Sequence, residues 1–227
     1  MKNKKDKIKL IDITKIRFAV ELEVEFPNSK DSQKLIDRHR VLEGWDIDYD
    51  GSLENGAEYR PKNKNHLYYN DESLTQLKEI LALIRVHRGR ISKNCGLHIH
   101  IDAKNFTDKQ ILEIIKEFIH KQRYIVKRFE VHKDRLENTC QLLPRDNLKK
   151  LTEKQIHDFR KQHEMWSYQG YNGLLDEKYN ACNISHLRKG DFGTLEFRLY
   201  DSTLSYKKVK EQILFTLNFI RDCLERE

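Results

Sequence analysis

Glu21, Glu23 and Glu25 recur at every second position of the run Phe18 to Phe26. Side chains alternate along an extended strand, so the three carboxylates share one face and Phe18, Val20, Leu22, Val24 and Phe26 the other. Like charges at that spacing repel unless a cation lies between them or water solvates each one. Hard divalent cations such as Mg²⁺ and Mn²⁺ bind oxygen clusters of this kind; a half-exposed strand with a solvated acidic face is the plainer alternative. A second run, Cys95 to Asp102, places His98, His100 and Asp102 opposite Leu97, Ile99 and Ile101. Imidazoles ligate borderline cations and partner phosphate, although a surface pair without function is the alternative here too. The preceding Gly96 signals close approach of backbone or ligand.

A third run, Gly193 to Tyr200, sets Thr194, Glu196 and Arg198 against Leu195, Phe197 and Leu199. In phosphoryl transfer a carboxylate holds the metal while a guanidinium grips phosphate oxygens bidentately; the two could equally pair with each other. Finally, Asp50-Gly51-Ser52 reads as a turn between two short strands, with Glu58 on the strand that leaves it.

These residues can act together only if their strands share a sheet. Lys15 to Phe26 reads as a strand ended by Pro27 and Asn28, and Trp45 to Tyr49 with Gly56 to Tyr59 as a hairpin closed by Pro61. Leu74, Leu77, Ile80, Leu81 and Ile84 recur at helical spacing after candidate N-caps Asp71 and Ser73, and Gly89 ends that helix. Gly96 to Asp102 is again a strand. Thr107-Asp108 then caps a long helix towards Phe129, and Thr152 a short one around Ile156 and Phe159. Two strands, about Tyr179 to Ser185 and Gly193 to Leu199, precede a final helix from about Tyr206 to Leu224. The order lacks a regular β-α-β rhythm, which predicts an α+β fold with a mainly antiparallel sheet and helices on one face.

The 227 residues carry a formal net charge of +7. That balance favours anionic partners, nucleic acid among them, but lysine-rich background composition accounts for it equally well, and the acidic triplet argues against a nucleic-acid groove. Residues 1–9 read as a basic tail and 10–227 as a single domain. No apolar run is long enough for a membrane span, the N-terminus lacks a signal-peptide core, and four scattered cysteines suit reduced thiols, so a cytoplasmic location is expected. No Gly-rich phosphate loop is present, so a nucleotide would have to be held in another way.

Taken in order, Val20-Glu21-Leu22-Glu23, Asp50-Gly51-Ser52 with Gly56-Ala57-Glu58-Tyr59-Arg60-Pro61, Cys95-Gly96-Leu97-His98-Ile99-His100, Tyr179-Asn180-Ala181-Cys182-Asn183 and Gly193-Thr194-Leu195-Glu196-Phe197-Arg198 resemble the putative amidoligase family. The resemblance runs from about Phe18 to Thr203. That family is similar to glutamine synthetase and glutamate-cysteine ligase, whose sheet binds ATP and divalent ions in a funnel. It implies a glutamine synthetase-like catalytic fold and an ATP-dependent ligase joining a small-molecule or peptide carboxylate to an amine through an acyl phosphate, with Mg²⁺ or Mn²⁺. By the same resemblance Glu21, Glu23, Glu58, His98 and Glu196 are metal ligands, and Arg198, His100 and Glu58 act in catalysis. Arg198, Asn183, Tyr179 and Arg60 contact the nucleotide. Ala19 stands where the family commonly has glycine and Arg60 where it commonly has serine, and Glu25 has no clear counterpart. A metal-dependent hydrolase built on the His98/His100 strand, or an inactive nucleotide-binding relative, are the competing readings.

Overall fold

Alternating apolar and polar residues become seven strands in the computed structural model, which describes residues 11–28, 44–62, 67–146, 151–162 and 179–226. The strands are β1 (Arg17–Glu25), β2 (Trp45–Asp50), β3 (Gly56–Pro61), β4 (Leu67–Tyr68), β5 (Gly96–Asp102), β6 (Cys182–Asn183) and β7 (Thr194–Asp201). They form one sheet in the order β2-β3-β1-β5-β7-β6, with β4 paired to β1, and every strand pairing is antiparallel. Among the described residues the α-helices are α1 (Asp71–Val86), α2 (Asp108–Phe129), α3 (Lys133–Asn138), α4 (Glu153–Lys161) and α5 (Tyr206–Leu224). The expected α+β, mainly antiparallel architecture is therefore present. The basic tail expected at 1–9 lies outside the described residues.

The apolar faces of the central strands and the helices share one core. Val20, Leu22 and Val24 of β1, Leu97, Ile99 and Ile101 of β5 and Leu195 of β7 are fully buried with Ile80, Leu81 and Ile84 of α1, Ile111 and Ile114 of α2, and Ile213, Leu217 and Ile220 of α5. Each such side chain contributes about 1.5–3 kcal/mol of transfer free energy, so the polar face of the sheet can carry unfavourable charge. Thr107 and Thr152 cap α2 and α4 as expected, and each closes a capping box, with Gln110 and Gln155.

Three boundaries differ from expectation. Asn70, not Asp71 or Ser73, caps α1 by accepting from the Ser73 N–H at 2.9 Å; Asp71 and Glu72 fall in the first turn, where carboxylates suit the helix dipole. Strand β6 spans two residues rather than seven. Ile184 leaves the extended conformation (φ −114°, ψ 6°) for a 3-10 turn at Ser185–Leu187, and Gln141 bonds to the Tyr179 carbonyl and the Ala181 N–H. Strand β7 runs on to Asp201 with a register shift, since Leu97 faces Tyr200 while Ile99 faces Phe197. Two residues, Arg198 and Leu199, therefore lie opposite His98, and the alternation resumes on Tyr200. Among the described residues no helix is long and apolar enough to cross a membrane.

Candidate functional site

The pairing register brings the polar faces side by side. Glu21 lies opposite His98 across β1 and β5, and His100 lies opposite Glu196 across β5 and β7. On the other flank Glu23 faces Glu58 across β1 and β3, and Glu58 faces Asp48 across β3 and β2. Asn183 on β6 faces Glu196. The result is a basin on the sheet face opposite the core. Within it, ligand-type atoms of Glu21, His100 and Glu196 lie within 4.8 Å of one another, and those of Glu23, Asp50 and Glu58 form a second such group.

His98 joins the two groups. Its Nδ1 is 3.1 Å from Glu21 Oε2 and 3.4 Å from Glu196 Oε1, and its Nε2 is 3.4 Å from Glu23 Oε1. His100 Nδ1 bonds to Thr194 Oγ1 at 3.1 Å, while its Nε2 sits 3.1 Å from Glu21 Oε1 without hydrogen-bond alignment. The Nε2 atoms of both buried imidazoles thus have no hydrogen-bond partner among the described residues. Buried polar atoms in native proteins almost always have partners, so two orphans facing carboxylates suit a site shaped for a cation.

Charge in the basin is unevenly compensated. Burial raises the Glu21 and Glu196 carboxyls, but the surrounding bases more than offset it. His100 and His98 hold Glu21 well below the usual carboxylate range, and His186, His100, Arg198 and His98 do the same for Glu196. Glu58 has only Arg60 beside it to offset the effect. Burial, with Glu21 and Glu23 nearby, pushes it from 4.5 up to about 8. The unfolded chain releases this proton near 4.5. Between those two values the folded chain binds more protons, and its stability falls as pH rises. With chelator present, Glu58→Gln should therefore gain on the parent progressively across that window and by a constant amount above it. Urea unfolding at several pH values tests this; a gain independent of pH would count against it.

Arg135 of α3 borders the basin at the Gly96 end of β5. It is 1% exposed, donates to the carbonyls of Asn94 (3.1 Å) and Arg198 (3.0 Å), and lies 3.9 Å from Glu23 and 3.5 Å from Asp201. The close approach that Gly96 signals is this guanidinium: a Cβ on Gly96 would lie 2.5 Å from Arg135 Nη2. Gly96→Ala should cost about 1–3 kcal/mol by overpacking, measurable by chemical unfolding.

The family model of the putative amidoligase enzyme matches residues 10–220. The chain belongs to this family. A search of curated proteins finds none that matches it. Set against the residues that the amidoligase resemblance implies, the structure gathers Glu21, Glu23, Glu58, His98, His100, Glu196, Arg198 and Asn183 in one basin, with Arg60 at its edge. Arg60 pairs with Asp48, its Nε 2.9 Å from Oδ2, and lies 3.7 Å from Glu58. Asn183 donates to Glu196 Oε2 at 2.8 Å and accepts from the Ser185 N–H. Tyr179 lies at the surface ahead of β6, 43% exposed, and its carbonyl accepts from Gln141. Glu25 accepts from Ser92 Oγ at 2.8 Å, at the far end of β1.

Three basin residues go beyond the sequence-derived set. Asp50, which the sequence marks only as a turn residue, folds its Oδ1 onto the Ser52 N–H (2.8 Å) and hydroxyl (2.6 Å) while joining Glu23 and Glu58. Arg135 and His186 carry no local signal. Asp191 and Glu196 hold His186, offsetting the effect of burial and raising its imidazole to about 10.

Proposed function

We propose that this amidoligase-family chain is an ATP-dependent carboxylate-amine ligase, with a sheet equivalent to the glutamine synthetase catalytic sheet and a cytoplasmic location suited to its four buried free cysteines. The carrying observation is the pair of buried Nε2 atoms of His98 and His100, without hydrogen-bond partners among the described residues, in a basin of carboxylates from four strands. Glu21, His100 and Glu196 would hold one Mg²⁺ or Mn²⁺, and Glu23, Asp50 and Glu58 a second. Bound metal supplies charge neutralisation on the phosphate oxygens of ATP.

In the proposed reaction the γ-phosphoryl group passes to the substrate carboxylate, giving an acyl phosphate and ADP. An amine then displaces phosphate to form the amide. Arg198 would grip phosphoryl oxygens with its planar fork. A carboxylate of the basin would hold the ammonium form of the amine and take the proton lost as the C–N bond forms. The helices and the apolar sheet face keep this array rigid, which limits reorganisation during charge transfer.

Metal should stabilise the folded chain, because it relieves repulsion among the carboxylates and binds only the folded state. At tenfold excess over Kd the gain is about 1.4 kcal/mol, which for a chain of this size raises Tm by roughly 3–6 °C. Thermal unfolding with millimolar Mg²⁺ or Mn²⁺ tests this, and no shift with or without nucleotide would overturn the metal-site reading. The test of the reaction is ADP release with Mg²⁺ across amino acids, polyamines and glutamyl peptides. Release that requires both a carboxylate and an amine is expected; folded, metal-binding protein that gives none with any pair would overturn the ligase reading.

A further inference from the structure

Glu196 is the most buried carboxylate of the basin, at 1% exposure, and its two oxygens have different neighbours. Oε1 faces the basin: it accepts from Arg198 Nη1 and lies 3.4 Å from His98 Nδ1 and 3.9 Å from His100 Nε2. Oε2 faces away from it. Asn183 Nδ2 donates to it at 2.8 Å, and His186 Nε2 lies 3.6 Å away, an ion pair that closes to a hydrogen bond with a small shift. His186 is itself held. Its Nδ1 lies 3.1 Å from Asp191 Oδ2, while Asp191 Oδ1 accepts from the Phe192 N–H at 2.6 Å, and the His186 carbonyl accepts from the Gly193 N–H at 2.7 Å. The ring also packs between His100 (centroids 5.4 Å apart) and Phe192 (5.2 Å).

The chain Asp191–His186–Glu196 therefore has the arrangement of an outer shell around a ligand carboxylate, with each member oriented by the next. Resting on the metal-site reading above, we infer that His186 is a positioning residue: with Asn183 it fixes Oε2 of Glu196 so that Oε1 is presented to a divalent cation. The 3-10 turn at Ser185–Leu187 and the return through Gly193 (φ +72°) place the imidazole there. This gives a function to a loop that the ligand set alone leaves unexplained.

The test compares Mn²⁺ affinity, read by electron paramagnetic resonance titration, with metal-free Tm for the parent, His186→Phe, His186→Gln and Asp191→Asn. Phenylalanine keeps the ring packing and removes both nitrogens, and loss of an outer-shell partner typically weakens metal affinity about 10- to 100-fold. Glutamine can still donate to Glu196 and should recover most of that loss. Asp191→Asn should fall near the lower end of the same range, about tenfold, and it decides the matter if the phenylalanine variant does not fold. Affinities within twofold of the parent for the folded variants, with or without a fall in Tm, would make His186 merely structural and overturn the inference. Parent protein that binds no Mn²⁺ would overturn the metal-site reading itself, and this inference with it.

Discussion

Arg135→Met should lower the unfolding free energy by about 3–5 kcal/mol, the loss expected when one partner of a buried ion-paired network is removed. The guanidinium is 1% exposed and donates to two carbonyls, that of Asn94 and, in a fully buried bond, that of Arg198. Methionine fills much of the volume and removes the buried donor to the Arg198 carbonyl. Glu23, 8% exposed, would keep the short Gly96 N–H donation and the His98 contact but lose the guanidinium 3.9 Å from its Oε2. Arg135→Lys should recover less than half of the loss, since one ammonium cannot reach both carbonyls in the geometry of a planar fork. Urea unfolding of the metal-free chain measures both variants, and a loss below about 1 kcal/mol for methionine would sink the account.

A double-mutant cycle sharpens the point. Gly96→Ala clashes with this guanidinium, so alanine should cost much less in the Arg135→Met background, a non-additivity expected only of residues in contact.

Why the basin is legible in the sequence, and its supports are not, follows from what each depends on. Glu21, Glu23, His98, His100, Glu196 and Arg198 sit on strands whose apolar partners alternate with them, and that alternation is a local property. Burial of Val20, Ile99 and Leu195 commits the opposite faces of three strands to one side, so the polar sets must meet once the strands pair. Which imidazole joins which carboxylates is a different matter. It depends on the β5–β7 register shift beside His98, a long-range feature with no signature in either segment alone. Hence His98 bridges the two groups, and His100 falls into the group with Glu21 and Glu196. Arg135 comes from a six-residue helix and His186 from a 3-10 turn, elements too short to show a period. The β6 region illustrates the opposite limit: Tyr179 to Ser185 reads as a strand, yet bonds from Gln141 and the turn at Ile184 leave only Cys182–Asn183 in the sheet.

Arg198→Ala should reduce ADP release by about 10²- to 10³-fold, the usual loss when one positioned charge is removed from a site of this kind. Its guanidinium is buried and rests on Glu196 Oε1, 3.4 Å from His98 Nδ1. In that position one cation screens the carboxylates of β1 and β7, and burial, which would lower its pKa, is outweighed by Glu196, Glu23 and Glu21. Metal entering the Glu21, His100 and Glu196 group would take over that screening and release the fork towards phosphoryl oxygens. Arg198→Lys should restore little activity, since lysine keeps the charge and loses bidentate contact. The fold should survive either change. Leu195, Phe197 and Leu199 anchor β7 in the core, and Asn183 and His186 still hold Glu196. If Arg198 only pairs with Glu196, the outcome reverses: both variants lose Tm, and alanine keeps most of the turnover. Tm and ADP release measured side by side on the two variants separate these cases, and a destabilised but active Arg198→Ala would remove Arg198 from the proposed chemistry.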